Sequence, residues 1–452
     1  MSRVDRLLWI PLQDVRAARL REMLTVRTSP HRGQPQIIEP FERQGEYIGV
    51  PRAWGLNQKW LSKGVVDACT LPYREWPQFV GKYRTGQAES VRAILRAFKD
   101  DGKYGALLEA PTGTGKTVMA TAIASQLHTP TLVVVHKEDL AEQWQRLLIG
   151  GTIDGKRVEP MFPDGKVGHV QGDKWQYEGC HLVTAMQQTL YSRIGREPEG
   201  FYEQFGLVIT DEAHHTPATT FERVMRLSKA RYRLGVSATF RRRDSTECLW
   251  HWHIGQIEHR TKGVQLIGQY IQIPWKTRLN DYMFRRGPDN SYAKYLTAIA
   301  ENPPYNKWLA EEILKGAAAG RKILLCSHRV SQLEDLRKRL LQSGKPITVG
   351  YYAGKVDGKT IKRDELDAAK KCQVILGTYK KVGEGTDIPT LDTLYLATPG
   401  SDVEQVVGRI QRPVEKRPLL IIDPVFQTSY NKALAAKRVR VYEKLGFRKQ
   451  GD

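Results

Sequence analysis

Cysteine is scarce in this chain of 452 residues: Cys69, Cys180, Cys248, Cys326 and Cys372 are odd in number, scattered, and form no CxxC pair. Such usage excludes a disulfide framework and suits reduced thiols in a cytosol. Acidic residues are also in deficit, with Asp+Glu 49 against Lys+Arg 70 and a formal net charge of +21. A charge excess of that size does not set a fold, but it favours a polyanionic partner, either nucleic acid or an anionic membrane surface. No apolar run approaches the ~18–20 residues needed to span a bilayer. The opening MSRVDRLLWIPLQDVR has a short apolar patch cut by Pro11 and Asp14, without the shape of a secretory signal. Repeats of ~20–50 residues and low-complexity tracts are missing as well. What remains is ample for packed cores: 40% hydrophobic residues, with Trp 10 and Tyr 19. The length implies roughly two to four domains, in a soluble intracellular protein.

From Tyr104 onward, short β-rich runs alternate with helical stretches, the pattern of α/β layers on a parallel sheet. Strands are expected at 104–110, 131–136, 206–210 and 232–238, and in a second set at 322–328, 373–378, 393–398 and 419–423. These runs are apolar throughout rather than alternating, as strands covered on both faces should be. Two sets suggest two similar α/β domains. The stretch 277–295, carrying Gly287-Pro288, reads as a loop, and Pro303-Pro304 precedes a helix. Residues 1–80 read as a small separate α/β module, with an early amphipathic helix around DVRAARLREML and a VPRAWG segment. The expected division is 1–80, 81–265 and 266–452.

Strand YGALLEA runs into Ala110-Pro-Thr112-Gly113-Thr114-Gly115-Lys116-Thr117, followed by the helical VMATAIASQL. Gly113 and Gly115 let the backbone turn so that its N–H groups face a phosphate chain at a helix N-terminus. Lys116 would contact the β/γ-phosphates and the Thr117 hydroxyl would ligate Mg²⁺. Ala110 stands where the general motif has Gly. Strand GLVIT then delivers Asp211-Glu212-Ala213-His214. Carboxylates at the end of a neighbouring strand are where a metal ion and water activation are needed. Asp211 is the candidate for the metal shell, and Glu212 for orienting and deprotonating the attacking water. Ser237-Ala238-Thr239 closes the next strand, and alone is ordinary turn chemistry. Upstream, in Tyr83-Arg84-Thr-Gly-Gln87, Gln87 could read the N6/N7 edge of adenine or simply start a helix. In the second set, Gly383-Glu384-Gly385-Thr386-Asp387 precedes Gln405-Val-Val-Gly-Arg409-Ile-Gln-Arg412. On a helix, Arg409 and Arg412 would share a face, either solvated or acting as arginine fingers.

This ordered set resembles the superfamily 2 helicases over roughly residues 83–425. YRTGQ corresponds to a Q-like motif, APTGTGKT to motif I, DEAH to motif II and SAT to motif III. ILLCSHRV is similar to motif IV, GEGTDIP to motif V and QVVGRIQR to motif VI. The resemblance implies an α/β fold of tandem RecA-like parallel-sheet domains with ATP in the cleft between them, plus the small N-terminal α/β module. It implies ATP and Mg²⁺ as cofactors, with Arg84, Gln87, Thr112, Gly113, Thr114, Gly115, Lys116, Thr117, Gly383 and Asp387 on the nucleotide side. Lys116, Asp211, Glu212, Gln405, Arg409 and Arg412 would carry catalysis, with Thr117 and Asp211 on the metal. The EGTDIP…QxxGRxxR ending and the N-terminal module are most similar to XPB-type and phage UvsW-like branch-migration helicases. XPB-type members carry an Arg-Glu-Asp triplet shortly after SAT, whereas here Arg242-Arg243-Asp244 stands there.

By the same resemblance, His136, Lys137, Thr184 and Thr378 would face the nucleic-acid strand. The basic cluster Arg241-Arg242-Arg243 is either a DNA contact or a solvated face. The basic helical stretch 432–449 suits duplex-backbone contact. The segment Cys248-Leu-Trp-His251-Trp-His253 alternates with period two and reads as a strand rather than a zinc site. Trp54, Trp60 and Trp76 read as core residues, with base stacking as the alternative. The expected function is an ATP-dependent DNA helicase acting on forked or branched DNA in replication, recombination or repair, of bacteriophage type. It would be cytoplasmic and nucleoid-associated, with no membrane partner. The alternatives are an ATP-gated duplex translocase without strand separation and, less favoured, an RNA helicase.

Overall fold

The computed structural model describes residues 1–14, 17–28, 36–111, 113–153, 156–211, 218–240, 246–261, 268–276, 291–383, 390–400, 403–410 and 418–451. The chain divides into two compact units, 1–263 and 264–452.

The first unit is built on an eight-stranded sheet. Its strands run in the order Lys174–Gln176, Val167–Gln171, Leu182–Met186, Thr131–Val135, Leu207–Asp211, Tyr232–Ser237, Gly105–Glu109 and Ile257–Arg260. Every neighbouring pair is parallel except the first, which is an antiparallel hairpin. The apolar runs behave as expected of strands buried on both faces. Val133 and Val135 enter one core with Ile209 and Leu234, while Leu132 and Val134 enter the opposite core with Val208.

The second unit repeats the plan with seven parallel strands. They lie in the order Val349–Tyr352, Val374–Thr378, Ile323–Ser327, Thr393–Leu396, Leu419–Phe426, Gly268–Trp275 and Phe447–Lys449. Its two faces are again separate cores, with Leu324 and Ile375 on one side and Ile323 and Leu325 on the other. The helix Pro303–Ala318 starts as the double proline predicts, capped by the Asn302 side chain accepting from Tyr305 N. The stretch 277–295 is not loop throughout: a helix spans Ser291–Ala300, because Tyr295, Leu296, Ile299 and Ala300 recur at helical spacing and are all buried. Gly287 and Pro288 lie outside the described residues.

The N-terminal residues form a five-stranded sheet of their own, ordered Glu42–Gln44, Tyr47–Val50, Leu8–Pro11, Arg3–Val4 and Val66–Asp67. The helix Ala17–Leu24 adds Leu20 and Leu24 to a small core with Val4, Leu8, Ile48, Val50 and Trp54. This module is fastened within the first unit by two fully buried arginines. Arg52 Nη1 donates to Asp5 O at 3.2 Å and Ala230 O at 2.7 Å, and its Nη2 to Tyr104 O at 3.1 Å and Arg231 O at 3.2 Å. Arg233 donates to His253 O, Arg6 O and Ser228 O at 2.8–2.9 Å. Burial pulls both guanidinium pKa values down, with Arg231 adding to the fall at Arg52 and Arg52 adding to it at Arg233. Carbonyl oxygens thus accept from the Nη groups of both buried cations, whose Nε atoms have no hydrogen-bond partner among the described residues.

Residues 70–80, grouped by sequence with the module, pack instead on the large sheet of the first unit. Thr70 is bonded to Lys229 O and by Arg231 N, and Trp76 Nε1 donates to Thr129 O at 3.0 Å. Trp76 and Trp54 are buried as core residues, whereas Trp60 is 50% exposed, against the core expectation. The CLWHWH segment is a helix, Cys248–His253, not a strand. Leu249, Trp250 and His253 are its buried residues, a helical i, i+1, i+4 set that outweighs the period-two aromatic pattern.

Candidate active site

Strand Gly105–Glu109 ends at the loop 110–115, and the helix Lys116–Gln126 begins at once. Gly113 and Gly115 both have φ +82°, which side chains with a Cβ rarely adopt. At Gly115 a Cβ would also strike Gln87 Nε2 at 2.3 Å. The Ala110 departure has a physical reason. That residue is fully buried, outside the left-handed region, with its N–H bonded to Ser237 O at 2.8 Å, so a small side chain suffices. Lys116 and Thr117 open the helix and are part-exposed at its N-terminus. Thr112 lies outside the described residues. A glycine-shaped turn whose N–H groups lead into an eleven-residue helix fits a phosphate chain.

The parallel register puts the other chemistry at the same carboxyl edge. Asp211 lies opposite Val236, and Ser237 opposite Glu109, so Asp211 ends one strand removed from the loop strand. Asp211 is 6% exposed and accepts a hydrogen bond at Oδ2 from Trp144 Nε1 at 2.8 Å. Trp144, fully buried on the helix Glu138–Ile149, is a site residue that motif reading missed. Its only sequence signal was an indole within an amphipathic helix, where its polar tip needed a buried acceptor. Ser237 closes a local turn, its hydroxyl donating to Thr239 O at 2.7 Å. Glu212 and the cluster Arg241, Arg242 and Arg243 lie outside the described residues.

Gln87 meets the loop directly. Its Nε2 donates to Thr114 O at 2.7 Å and its Oε1 accepts from Arg84 N at 2.8 Å, with the residue 2% exposed. The amide therefore braces the phosphate-loop backbone, and the Arg84 side chain stays exposed.

In the second unit, Gly383, Gln405 and Arg409 come together. Arg409 Nε donates to Val382 O at 3.1 Å and Nη2 to Gly383 O at 2.9 Å. A Cβ on Gly383 would sit 3.0 Å from Gln405 Oε1. The expected single helix is instead a short helix, Glu404–Val407, passing into a 3₁₀ turn, Gly408–Ile410. Arg409 thus holds the end of the helix Tyr379–Gly383 through its guanidinium. Asp387 and Arg412 lie outside the described residues. Nearby, His328 stacks on Tyr379 with ring centroids 4.2 Å apart and shares the Thr398 hydroxyl at 2.9 Å. Burial, aided by Arg329, lowers its pKa to about 4, so this ring is neutral at physiological pH.

The expected strand contacts divide. His136 and Lys137 are part-exposed beyond the strand Thr131–Val135, with Lys137 extended at the start of the next helix. Thr378 is part-exposed, its hydroxyl accepting from Lys381 N at 3.3 Å. The Thr184 side chain, expected to face the nucleic-acid strand, points inward instead. It is fully buried, bonded at its hydroxyl to Gln145 Nε2 at 2.8 Å and His169 Nδ1 at 2.9 Å. In the basic stretch 432–449, the helix Ser429–Lys444 turns Arg438 inward, while Lys432, Lys437, Arg440, Lys444, Arg448 and Lys449 are exposed. No helix among the described residues is long and apolar enough to cross a membrane.

A glycine-rich loop and an acidic strand end on one edge of a parallel sheet define a nucleotide-binding ATPase of the RecA-like α/β class. Residues 81–242 match the family described as Type III restriction enzyme, res subunit. The chain is 28% identical to protein L396 of Acanthamoeba polyphaga mimivirus, named as an ATP-dependent RNA helicase, over 86% of this chain and 72% of that one. Protein D10 of Escherichia phage T5, named as a helicase, is 23% identical over 89% of this chain and 84% of its own. The DNA 3'-5' translocase XPB2 of Sulfurisphaera tokodaii is 31% identical over 47% of this chain and 42% of its own. The structure of S. cerevisiae Dbp5 bound to RNA and ADP BeF3 shares the fold, with a TM-score of 0.53 at 15% identity, covering 82% of this chain and 90% of that one. The chain is similar to superfamily 2 helicases, and the relatives it matches are named as ATP-dependent helicases and a translocase.

Proposed function

We propose that this chain uses ATP hydrolysis to move on DNA and to separate or branch-migrate strands at forks and Holliday-like junctions, in replication, recombination or repair. The observation that carries the motor is the carboxyl edge shared by the glycine-rich loop before Lys116 and by Asp211, with Gln87 bracing the loop. The DNA reading is supported by the +21 charge and by the likeness to a DNA translocase over 211 residues. In this account Lys116 binds the terminal phosphates and Thr117 and Asp211 hold Mg²⁺. Glu212 orients the attacking water and takes its proton, and Arg412 is the arginine finger. The metal ion, when bound, neutralises charge building on the phosphate oxygens. Trp144 fixes one oxygen of Asp211 and leaves the carboxylate facing a set direction. Residues 1–69 serve as the substrate-targeting module, and the protein works in the cytoplasm, near the nucleoid.

A fluorescent fork, a four-way junction, a blunt duplex and an RNA duplex, each offered with ATP, test this reading. Strand release from fork and junction is expected. Hydrolysis without release would instead support a duplex translocase. Preferential RNA-duplex release would support an RNA helicase, a reading favoured by the name of the mimivirus relative.

Trp144→Phe keeps the ring packing but removes the donor to Asp211. The Mg²⁺ concentration for half-maximal hydrolysis should rise about 10–100-fold, as when other supports of metal ligands are lost. Titration of metal-dependent nucleotide binding by calorimetry should show the same shift. An unchanged Mg²⁺ dependence would remove Trp144 from the site.

A further inference from the structure

The turn between the helix Arg52–Leu56 and the strand Val66–Asp67 presents an indole to solvent between two cations, Lys59-Trp60-Leu-Ser-Lys63. Half of Trp60 is exposed, while its neighbour Leu61 is 4% exposed and sits in the module's core. The turn is held by its own backbone: Gln58 N bonds Gly55 O at 3.0 Å, Leu61 N bonds Gln58 O at 2.8 Å, and Ser62 N bonds Gln58 O at 3.1 Å. Gly64, at φ +60°, lets the chain turn away with open space where a Cβ would be. Lys59 and Lys63 are exposed, and among the described residues neither makes an ion pair. The acid that follows, Asp67, is engaged with Arg231 at 3.1 Å, so it does not offset them.

An outward indole on a fixed turn adds little backbone-ordering cost when it stacks, since Leu61 has already anchored the backbone. The flanking ammonium groups suit a polyanion and would repel a basic surface. Arg52, on the adjoining helix, ties this corner to the nucleotide-binding sheet through Ala230, Arg231 and Tyr104 carbonyls. The turn therefore has a firm base to push against. We infer that Trp60 is a stacking platform for an unpaired base of the nucleic-acid substrate, with Lys59 and Lys63 holding the phosphates on either side.

This inference rests on the nucleic-acid reading above and adds a contact that no helicase motif contains. The test compares Trp60→Ala, Trp60→Phe and Lys59→Ala/Lys63→Ala with the unaltered full-length chain. Fluorescence anisotropy is read on a fork with unpaired arms and on a blunt duplex of equal length. Loss of one stacked base should weaken fork binding by about 5- to 100-fold in Trp60→Ala. Trp60→Phe should restore most of the affinity, blunt-duplex binding should change little, and basal hydrolysis and melting temperature should be unaltered. The double lysine variant should reduce the salt slope of fork binding by roughly 1.5. Equal loss on fork and blunt duplex, or fork binding indifferent to Trp60→Ala, would overturn the stacking role while leaving the nucleic-acid reading standing. Failure of the unaltered chain to bind either DNA would overturn both.

Discussion

Replacing Lys116 by Ala should lower steady-state ATP hydrolysis by at least about 10³-fold while leaving nucleic-acid binding measurable. Lys116 is the first helical residue after Gly115, and that glycine's φ of +82° turns the backbone so that the lysine stands beside the N–H groups of the loop. In the proposed mechanism its ammonium meets charge that grows on the phosphate oxygens as the terminal bond breaks, an interaction stronger in the transition state than before it. Alanine is a good helix former, so the helix Lys116–Gln126 should persist and the loss should fall on chemistry. The fold should survive too, because Met119, Ala120 and Ile123 carry the packing of that helix. Phosphate release and DNA anisotropy on the same preparation separate the two effects. Hydrolysis at the unaltered rate would remove the loop from the reaction.

Arg438→Met should cost about 3–5 kcal/mol of stability in the second unit, because it strands a buried carboxylate. Arg438 and Asp423 side chains are each 1% exposed. Their pairing is bidentate, Nη2 to Oδ1 at 2.8 Å and Nε to Oδ2 at 3.1 Å, and Arg438 Nη1 also donates to Gly400 O at 3.1 Å. Tyr442 and Gln272 donate to Asp423 Oδ2 at 3.1 and 3.2 Å, and would be its remaining partners. A unit of this size should melt roughly 10 °C lower. Adding Asp423→Leu should recover part of the loss, as paired replacement of buried ions often does. Equal melting of Arg438→Met and the unaltered chain would contradict this.

The eight strands expected from sequence were legible because each is a largely apolar buried run, a pattern local to the run itself. Half-buried strands such as Val167–Gln171, Ile257–Arg260 and Gly268–Trp275 carry no such run and were missed. The placing of the glycine-rich loop and Asp211 on one sheet edge was legible because glycine spacing and strand-end acids are written within a few residues. Contacts between distant residues were not. Trp144 and Asp211 meet only once the sheet is assembled, 67 residues apart in the chain. Arg52 and Arg233 give no signal at all, since the carbonyls that accept from them have no residue identity. Thr184 was misplaced for a related reason: its motif position is right at a strand, but the strand's pleat turns the hydroxyl inward against His169. At Cys248–His253, aromatic alternation mimicked a strand over a segment too short for periodicity to decide. Trp60 went the other way, a residue type usually buried that the turn holds outside.

The most direct test of the motor is the rate of phosphate release by the unaltered chain, with Mg²⁺ and ATP, before and after forked DNA is added. Hydrolysis that rises several-fold with the fork, and vanishes in Lys116→Ala, is the predicted result. No hydrolysis under either condition, or a rate indifferent to nucleic acid, would contradict an ATP-driven helicase.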